Sequence, residues 1–367
     1  MFNIPRSTIQ HWLKRARGRR LDRVDWRNLP PIPRATRRTP PAMEERILKT
    51  RQRLRKYSAL GEHGAAAIRQ ELLNQAIANP PAVRTIGRIL ERCGALDGRR
   101  RVRRPAPPPG WYLPELAAGQ AELDSFDFIE DLAIRGVCPI IVLNAISLHG
   151  ALVQSWPARQ MSAKSVVQCL IQHWRQQGLA GYAQFDNDMR FQGPHSRPGV
   201  LSRVVRLCLS LGVIPVFVPP RETGFQAAIE NLNGRWQKAV WDRFTHRRLS
   251  GLQVRSGRFV TALNRKVAVR RQDAPERRSF PDPWQLDLKA HPRGRLIFLR
   301  RTDDRGQIDL LGYRFAVSSC WLNRLVRAQI DLDREMIHFH GLRRRDPDDQ
   351  PLLNMVPFNL QEKIFME

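Results

Sequence analysis

No run in the 367 residues approaches the ~18 apolar positions that a membrane-spanning helix needs, and the opening MFNIPRSTIQHWLKRARGRR lacks the apolar core of an export signal. Neither insertion nor export is expected. Cysteine is sparse: Cys93, Cys138, Cys169, Cys208 and Cys320 are odd in number, scattered and free of any C-x-x-C pair, as in a cytosolic chain with reduced core thiols. The nine His show no zinc-ligand spacing, and the one i, i+2 pair, His338 and His340, marks one face of a strand, so no structural zinc is expected. Acid is scarce too. Against 34 Asp+Glu stand 62 Lys+Arg, a formal net charge of +28, which points to a polyanionic partner, DNA or RNA first. Lysine supplies only eight of those cations; the rest are Arg, which makes bidentate contacts to phosphate and guanine edges.

The positive charge is concentrated early. Residues 1–110 carry 26 Lys+Arg against 8 Asp+Glu. Residues 1–28 read as a basic helix opened by Ser7 with Gln10 as a capping box, an apolar stripe of Ile9, Trp12 and Leu13, and Lys14 and Arg15 available to DNA, like the last helix of a helix-turn-helix. Residues 29–42 (LPPIPRATRRTPPA from Leu29) form a Pro-rich linker. Residues 43–98 hold three helical patterns, the last with Arg84, Arg88 and Arg92 on one side, as in a helix-turn-helix that lays its third helix in the major groove. The alternative is a small bundle with a solvated basic face. Residues 99–113 (RRRVRRPAPPPG and its sequel) are a second basic linker whose arginines suit a DNA backbone.

From 114 to 272 the pattern becomes α/β. Apolar runs at 123–129, 139–146, 151–156 and 182–185 predict strands, Ser162–Gln177 a helix stopped by Gly178, Val204–Leu211 another, and Ile214–Val218 a further strand before the amphipathic helix that carries Glu230. Residues 273–343 (GRLIFLR, QIDLLGYRFAV, LVRAQIDLDREMIHFHGL) alternate like a small β-barrel module, and 344–367 read as a polar tail.

Three carboxylates stand out: Asp124 in ELDSFDF, Asp186 in YAQFDND and Glu230 in VPPRETGFQAAIENLNGRW. Asp124 and Asp127 lie three apart on a strand and must point to opposite faces, so only one joins a site; Asp186 and Asp188 share a parity. Ile229, Leu232, Trp236, Val240 and Phe244 make the buried stripe of the last helix, which puts Asn233, Gln237 and Lys238 beside Glu230. Of these, Lys238 is the one placed to touch a DNA phosphate, the alternative being a solvated Lys on a basic protein. Singly, each acid reads as a cap or a solvated charge. Together, two strand acids and one helix acid in a basic chain suit two-metal phosphoryl transfer on nucleic acid.

From about Gly110 to Arg270 the chain resembles the integrase-type catalytic core of DDE transposases and retroviral-like integrases, with flanks like those of bacterial insertion-sequence transposases. The strand with Asp124 resembles the family's first catalytic Asp, FDND its Asp-Asn-Gly, and VPPRETGFQAAIENLNGRW its Pro-Pro, aromatic-Gln and Glu segment. Ser147 stands where the family often has a second-strand Asp, Asp188 replaces the Gly, and the Asp186 to Glu230 spacing is longer than the commonest one. The resemblance implies a ribonuclease H-like multidomain α/β protein in the bacterial cytoplasm and nucleoid. It implies cleavage and strand transfer with two Mg²⁺ or Mn²⁺ ions held by Asp124, Asp186 and Glu230, with Asp124 bridging. Its partners would be double-stranded transposon ends and target DNA, bound by a homo-oligomer. The alternative is an inactive transposase-derived regulator that binds DNA.

Overall fold

A computed structural model describes residues 4–27, 39–96, 109–134, 138–193, 198–344 and 346–360. Most of the two basic linkers (29–38 and 99–108) lies outside them, and so does the end of the tail (361–367). The apolar runs become strands as expected: β1 (Leu123–Ile134), β2 (Cys138–Ser147), β3 (Val153–Ala158), β4 (Tyr182–Phe185) and β5 (Ile214–Phe217). β2 runs antiparallel between β1 and β3, while β4 and β5 lie parallel to β1. This mixed sheet, ordered β3-β2-β1-β4-β5 across that half, is consistent with a ribonuclease H-like core.

The N-terminal helices are α1 (Arg6–Ala16), α2 (Pro41–Tyr57), α3 (Ala65–Asn74) and α4 (Val83–Arg92). Pro5, not Ser7, stands at the start of α1, and no side chain caps it. Of its apolar stripe only Trp12 finds a partner among the described residues, stacking on Trp26 with ring centroids 5.3 Å apart, while Ile9 is 46% and Leu13 65% exposed. The next three helices do share a core, in which Ile47, Ile68, Leu72, Ile86 and Leu90 are buried. Arg243 fastens this unit to the α/β region through the carbonyls of Arg55 and Ser58, and Glu62 pairs with Arg235 and Lys266.

Past the second linker, Trp111, Tyr112 and Leu113 are buried rather than linker-like, just before α5 (Pro114–Ala117). The helices α6 (Ala163–Gln177), α7 (Met189–Gln192) and α8 (Arg203–Ser210) follow. The first is capped by the Ser162 hydroxyl, which accepts from Ser165 N–H at 3.2 Å, and it stops where Gly178 takes φ 79°. α6 and α8 cover one sheet face over Phe126, Phe185, Phe217 and Phe298. α9 (Ala227–Trp236) and α10 (Leu249–Lys266) cover the other over Ile129, Val142 and Val153. Between them lies a π-helical turn, Gln237–Trp241. It adds a residue to the turn, so Ala239 and Val240 are buried side by side and the expected stripe ends there, with Phe244 36% exposed.

The expected separate barrel at 273–343 is absent from the described residues. β6 (Arg295–Arg301) pairs in parallel with β5, and β9 (Leu325–Asp331), β10 (Met336–Gly341) and β11 (Leu352–Pro357) extend the same sheet to nine strands. Only β7 (Gln307–Leu310) and β8 (Tyr313–Ala316) stand apart, as a two-stranded ribbon. The physical reason lies in β6: Leu296, Ile297, Phe298 and Leu299 are apolar on both faces, as an interior strand must be. The supposed polar tail supplies β11.

Trp236 anchors the α9 side. It is fully buried, and its Nε1–H donates to Ser256 Oγ at 2.9 Å. Replacing it with Ala is expected to cost ~3–5 kcal/mol through the cavity left behind, read as a lower denaturant midpoint; a variant that unfolds like wild type would show that this face is packed differently.

Candidate active site

The pleat of β1 sends Asp124 and Asp127 to different environments. Asp124 faces α6 and is fully buried. Its Oδ1 accepts from Arg277 Nη1 at 3.0 Å; its Oδ2 accepts from Arg277 Nη2 at 2.5 Å, from Trp174 Nε1 at 3.0 Å, and lies 3.2 Å from His173 Nε2. Burial alone would raise this carboxyl's pKa, but the Arg277 charge and the His173 imidazole outweigh it and hold the group well below the usual range. Four donors consume its oxygens. Asp124 is therefore a structural ion that ties the segment after α10 to the sheet, and it does not meet Asp186 or Glu230. The expectation that it is the first of the three site acids is corrected on that ground.

Asp127 leaves β1 on the α9 face. Asn233 Nδ2, one turn along α9 from Glu230, donates to Asp127 Oδ2 at 2.7 Å, and Asn144 Nδ2 from β2 donates to Asn233 Oδ1 at 2.8 Å. Ser125 pairs in register with Gln184, so two residues further on Asp127 comes level with Asp186, just past the end of β4. Burial, then the charge of Asp186 and that of Glu230, push the Asp127 carboxyl up to about 7. Burial first also raises Asp186, against the Asp188 N–H that it accepts at 3.0 Å. Three carboxylates thus converge electrostatically, and none of them forms an ion pair with a Lys or Arg among the described residues.

The arrangement stops short of a closed cage: among the described residues no three His, Cys, Asp or Glu are close enough to hold a metal ion as they stand. The donor set nevertheless fits a hard divalent cation. It offers only oxygens, and although the Arg190 charge bears on Asp186, no Lys or Arg among the described residues forms an ion pair with any of the three.

Asp188 belongs elsewhere. It caps α7 through Arg190 N–H at 2.8 Å and pairs with the Arg190 guanidinium, which also holds Glu130. Ser147, opposite Asp124 in the β1–β2 register, accepts Leu152 N–H at 2.8 Å within a turn. Of the side chains expected to touch DNA, Arg84 and Arg88 are exposed on α4, whereas Arg92 pairs with Glu44. Lys14 is exposed; Arg15 donates to the carbonyls of Asp25 and Arg27. Lys238 sits exposed in the π-helical turn that follows α9.

A signal for Asp127 was present in the sequence. Asp127 and Asp186 each have a polar residue two positions before them on the same strand face, Ser125 and Gln184, and the two are joined by a 2.9 Å hydrogen bond. Asp124 shares its face with Phe126 and Phe128 instead.

The two aspartates predict opposite behaviour. The lowered Asp124 pKa contributes stability that is present above the ordinary value of 3.8 and lost as pH falls below it, so Asp124→Asn is expected to cost ~3–5 kcal/mol near neutrality by stranding Arg277. The raised Asp127 pKa works the other way: without divalent cations, stability falls as pH rises from about 4 to about 7. Asp127→Asn should remove that loss and gain roughly 2 kcal/mol at pH 8 after allowance for solvent screening. Urea titrations at pH 5 and pH 8 check both; equal effects of the two substitutions would refute the assignment of faces.

No known family description matches the chain, and no curated protein does either. Among solved structures it is similar to the catalytic core domain of BIV integrase, at 19% identity over 38% of this chain and 80% of that one, with a TM-score of 0.27. A chain of the simian T-cell lymphotropic virus intasome in complex with PP2A regulatory subunit B56 gamma is similar at 13% identity, over 72% of this chain and 84% of that one, with a TM-score of 0.35. Likenesses this distant carry no argument about chemistry.

Proposed function

We propose that the protein is a DNA strand transferase of the transposase and integrase type, with Asp127, Asp186 and Glu230 as its acidic triad. The observation that supports this most is the meeting of three carboxylates without a cationic partner in a chain of net charge +28. Such a cluster is costly unless cations complete it. Two Mg²⁺ or Mn²⁺ ions bound there would supply activation of water or a 3′-hydroxyl and stabilisation of the leaving oxygen. The chain's own part is to position oxygens. Asp127 and Asp186 present theirs from adjacent parallel strands, Glu230 from α9, and Asn233 with Asn144 fixes the Asp127 carboxylate.

Binding is assigned to other surfaces. Arg84 and Arg88 on α4, with Lys14 on α1, offer guanidinium and ammonium groups to double-stranded DNA, and Lys238 is exposed on the α9 side. Arg92 and Arg15 contribute less, being engaged with Glu44 and with backbone carbonyls. A homo-oligomer on paired DNA ends is part of the same proposal.

Asp127→Asn, Asp186→Asn and Glu230→Gln should each lower metal-dependent cleavage and joining of labelled DNA ends at least a thousandfold while leaving DNA affinity within a few-fold. Asp188→Asn should stay active. A mutant of the triad that joins ends near the wild-type rate would remove that residue from the site. Arg84→Gln with Arg88→Gln should reduce the slope of log affinity against log salt by about 0.9 for each phosphate no longer neutralised; an unchanged slope would move the DNA surface away from α4.

A further inference from the structure

At the C-terminal ends of β4, β5 and β6 lies a cavity of about 280 Å³ that the proposed chemistry does not use. Its walls include Asn187, Gln192, Pro220 and Arg300, and, from the β7–β8 ribbon, Asp309 and Leu311. Arg300 is 8% exposed. Its Nη1 donates to the carbonyls of Val218 at 3.1 Å and Leu299 at 2.9 Å, and its Nη2 to Asn187 Oδ1 at 2.7 Å. All three acceptors are neutral. Nε–H and the second Nη2–H have no protein acceptor, and no carboxylate pairs with this guanidinium among the described residues. Asp309, at the same cavity, is already committed to Arg314 through both oxygens, at 2.9 and 3.2 Å.

A buried guanidinium normally has an anion beside it, because transfer from water without one is costly. Here burial lowers the Arg300 pKa to about 10 with no opposing charge. Gln192, also 8% exposed, leaves its Oε1 without a partner, and its amide can equally present the amino group. A purely mechanical clamp between Asn187 and Val218 would account for three of the N–H groups. The Phe298 ring, with its centroid 4.9 Å from the guanidinium carbon, faces part of the charge, but the remaining donors, the Gln192 amide and the cavity are left without a purpose.

We propose that this cavity is a phosphate site, in which Arg300 and Gln192 take one backbone phosphate of a nucleic-acid strand crossing the ends of β4–β6. A tetrahedral oxyanion matches the two remaining N–H groups. Because Asn187 follows Asp186 directly, a phosphate held there would fix the strand beside the acidic triad; the nucleic-acid identity of the ligand rests on the function proposed above.

The test uses the full chain, metal-free, at constant ionic strength, with inorganic phosphate as probe. Phosphate at about ten times its Kd should raise the wild-type melting midpoint by about 2 °C. Gln192→Glu, which places a carboxylate beside Arg300, should abolish that rise without lowering the midpoint in its absence. Arg300→Lys, which keeps the charge but loses the fork, should weaken the response at least threefold and serves if the first variant folds poorly. In duplex DNA titrations Gln192→Glu should also reduce the salt slope by about 0.9. An equal phosphate response in wild type and both variants overturns the site, and a lost response with an unchanged salt slope overturns its assignment to a strand. Asp127→Asn should keep the full phosphate response. A wild-type chain that shows the response yet joins no DNA ends leaves the phosphate site standing and removes the strand-transfer reading instead.

Discussion

Everything in the α/β half hangs on the environment of one strand. β1 carries two aspartates three residues apart, and the two-residue period of a strand forces them to opposite faces. One face is packed by aromatic rings and holds Asp124, saturated by Arg277, Trp174 and His173. The other face is polar along a line through Ser125, Gln184, Asp127 and Asn233. A carboxylate that receives four donors in a dry interior has no oxygen left for a cation. A carboxylate beside two others, with only neutral amide donors from Asn233 and the Phe128 backbone, has every reason to bind one.

The same contrast decides what each acid does for the fold. Burial penalises both charges, and the sign of the outcome depends on the neighbours. Around Asp124 the neighbours are a guanidinium and an imidazole, so the ion pair stabilises the connection between the segment after α10 and the sheet. Around Asp127 they are further acids, so the site is a source of strain that the protein tolerates. Such strain is expected where binding, not folding, sets the residue type. Arg300 is the cationic counterpart: buried, fixed by neutral acceptors and lacking an anion.

Much of this was legible in the sequence, for identifiable reasons. Strand β4 could be read from its four apolar-rich residues and α6 from Ser162 and Gly178, because both signals are local. Glu230 and Asn233 follow from helical spacing on α9. What could not be read depends on distant partners. The role of Asp124 is set by Arg277, some 150 positions away along the chain, and nothing within ELDSFDF announces it. The π-helical turn after Trp236 breaks a periodicity that reading by fixed spacing assumes, and Phe244 beyond it is 36% exposed. The strands after β6 alternate as a barrel would, and only the pairing of β5 with β6 reveals that they prolong the central sheet.

That prolongation has a consequence for the site. In the described residues β6 lies between β5 and β9, so the parallel strands β4, β5 and β6 end together in a single row. In open α/β sheets this carboxyl-end row is where ligands sit, because side chains and loops from several strands converge there. Arg300 reaches across the row to Val218 and Asn187, so the residue after Asp186 is held by a side chain from the C-terminal strands. A separate barrel could not impose that constraint. The C-terminal segment is thereby part of the geometry of the proposed site, and its cation is brought within one residue of the acids it does not neutralise.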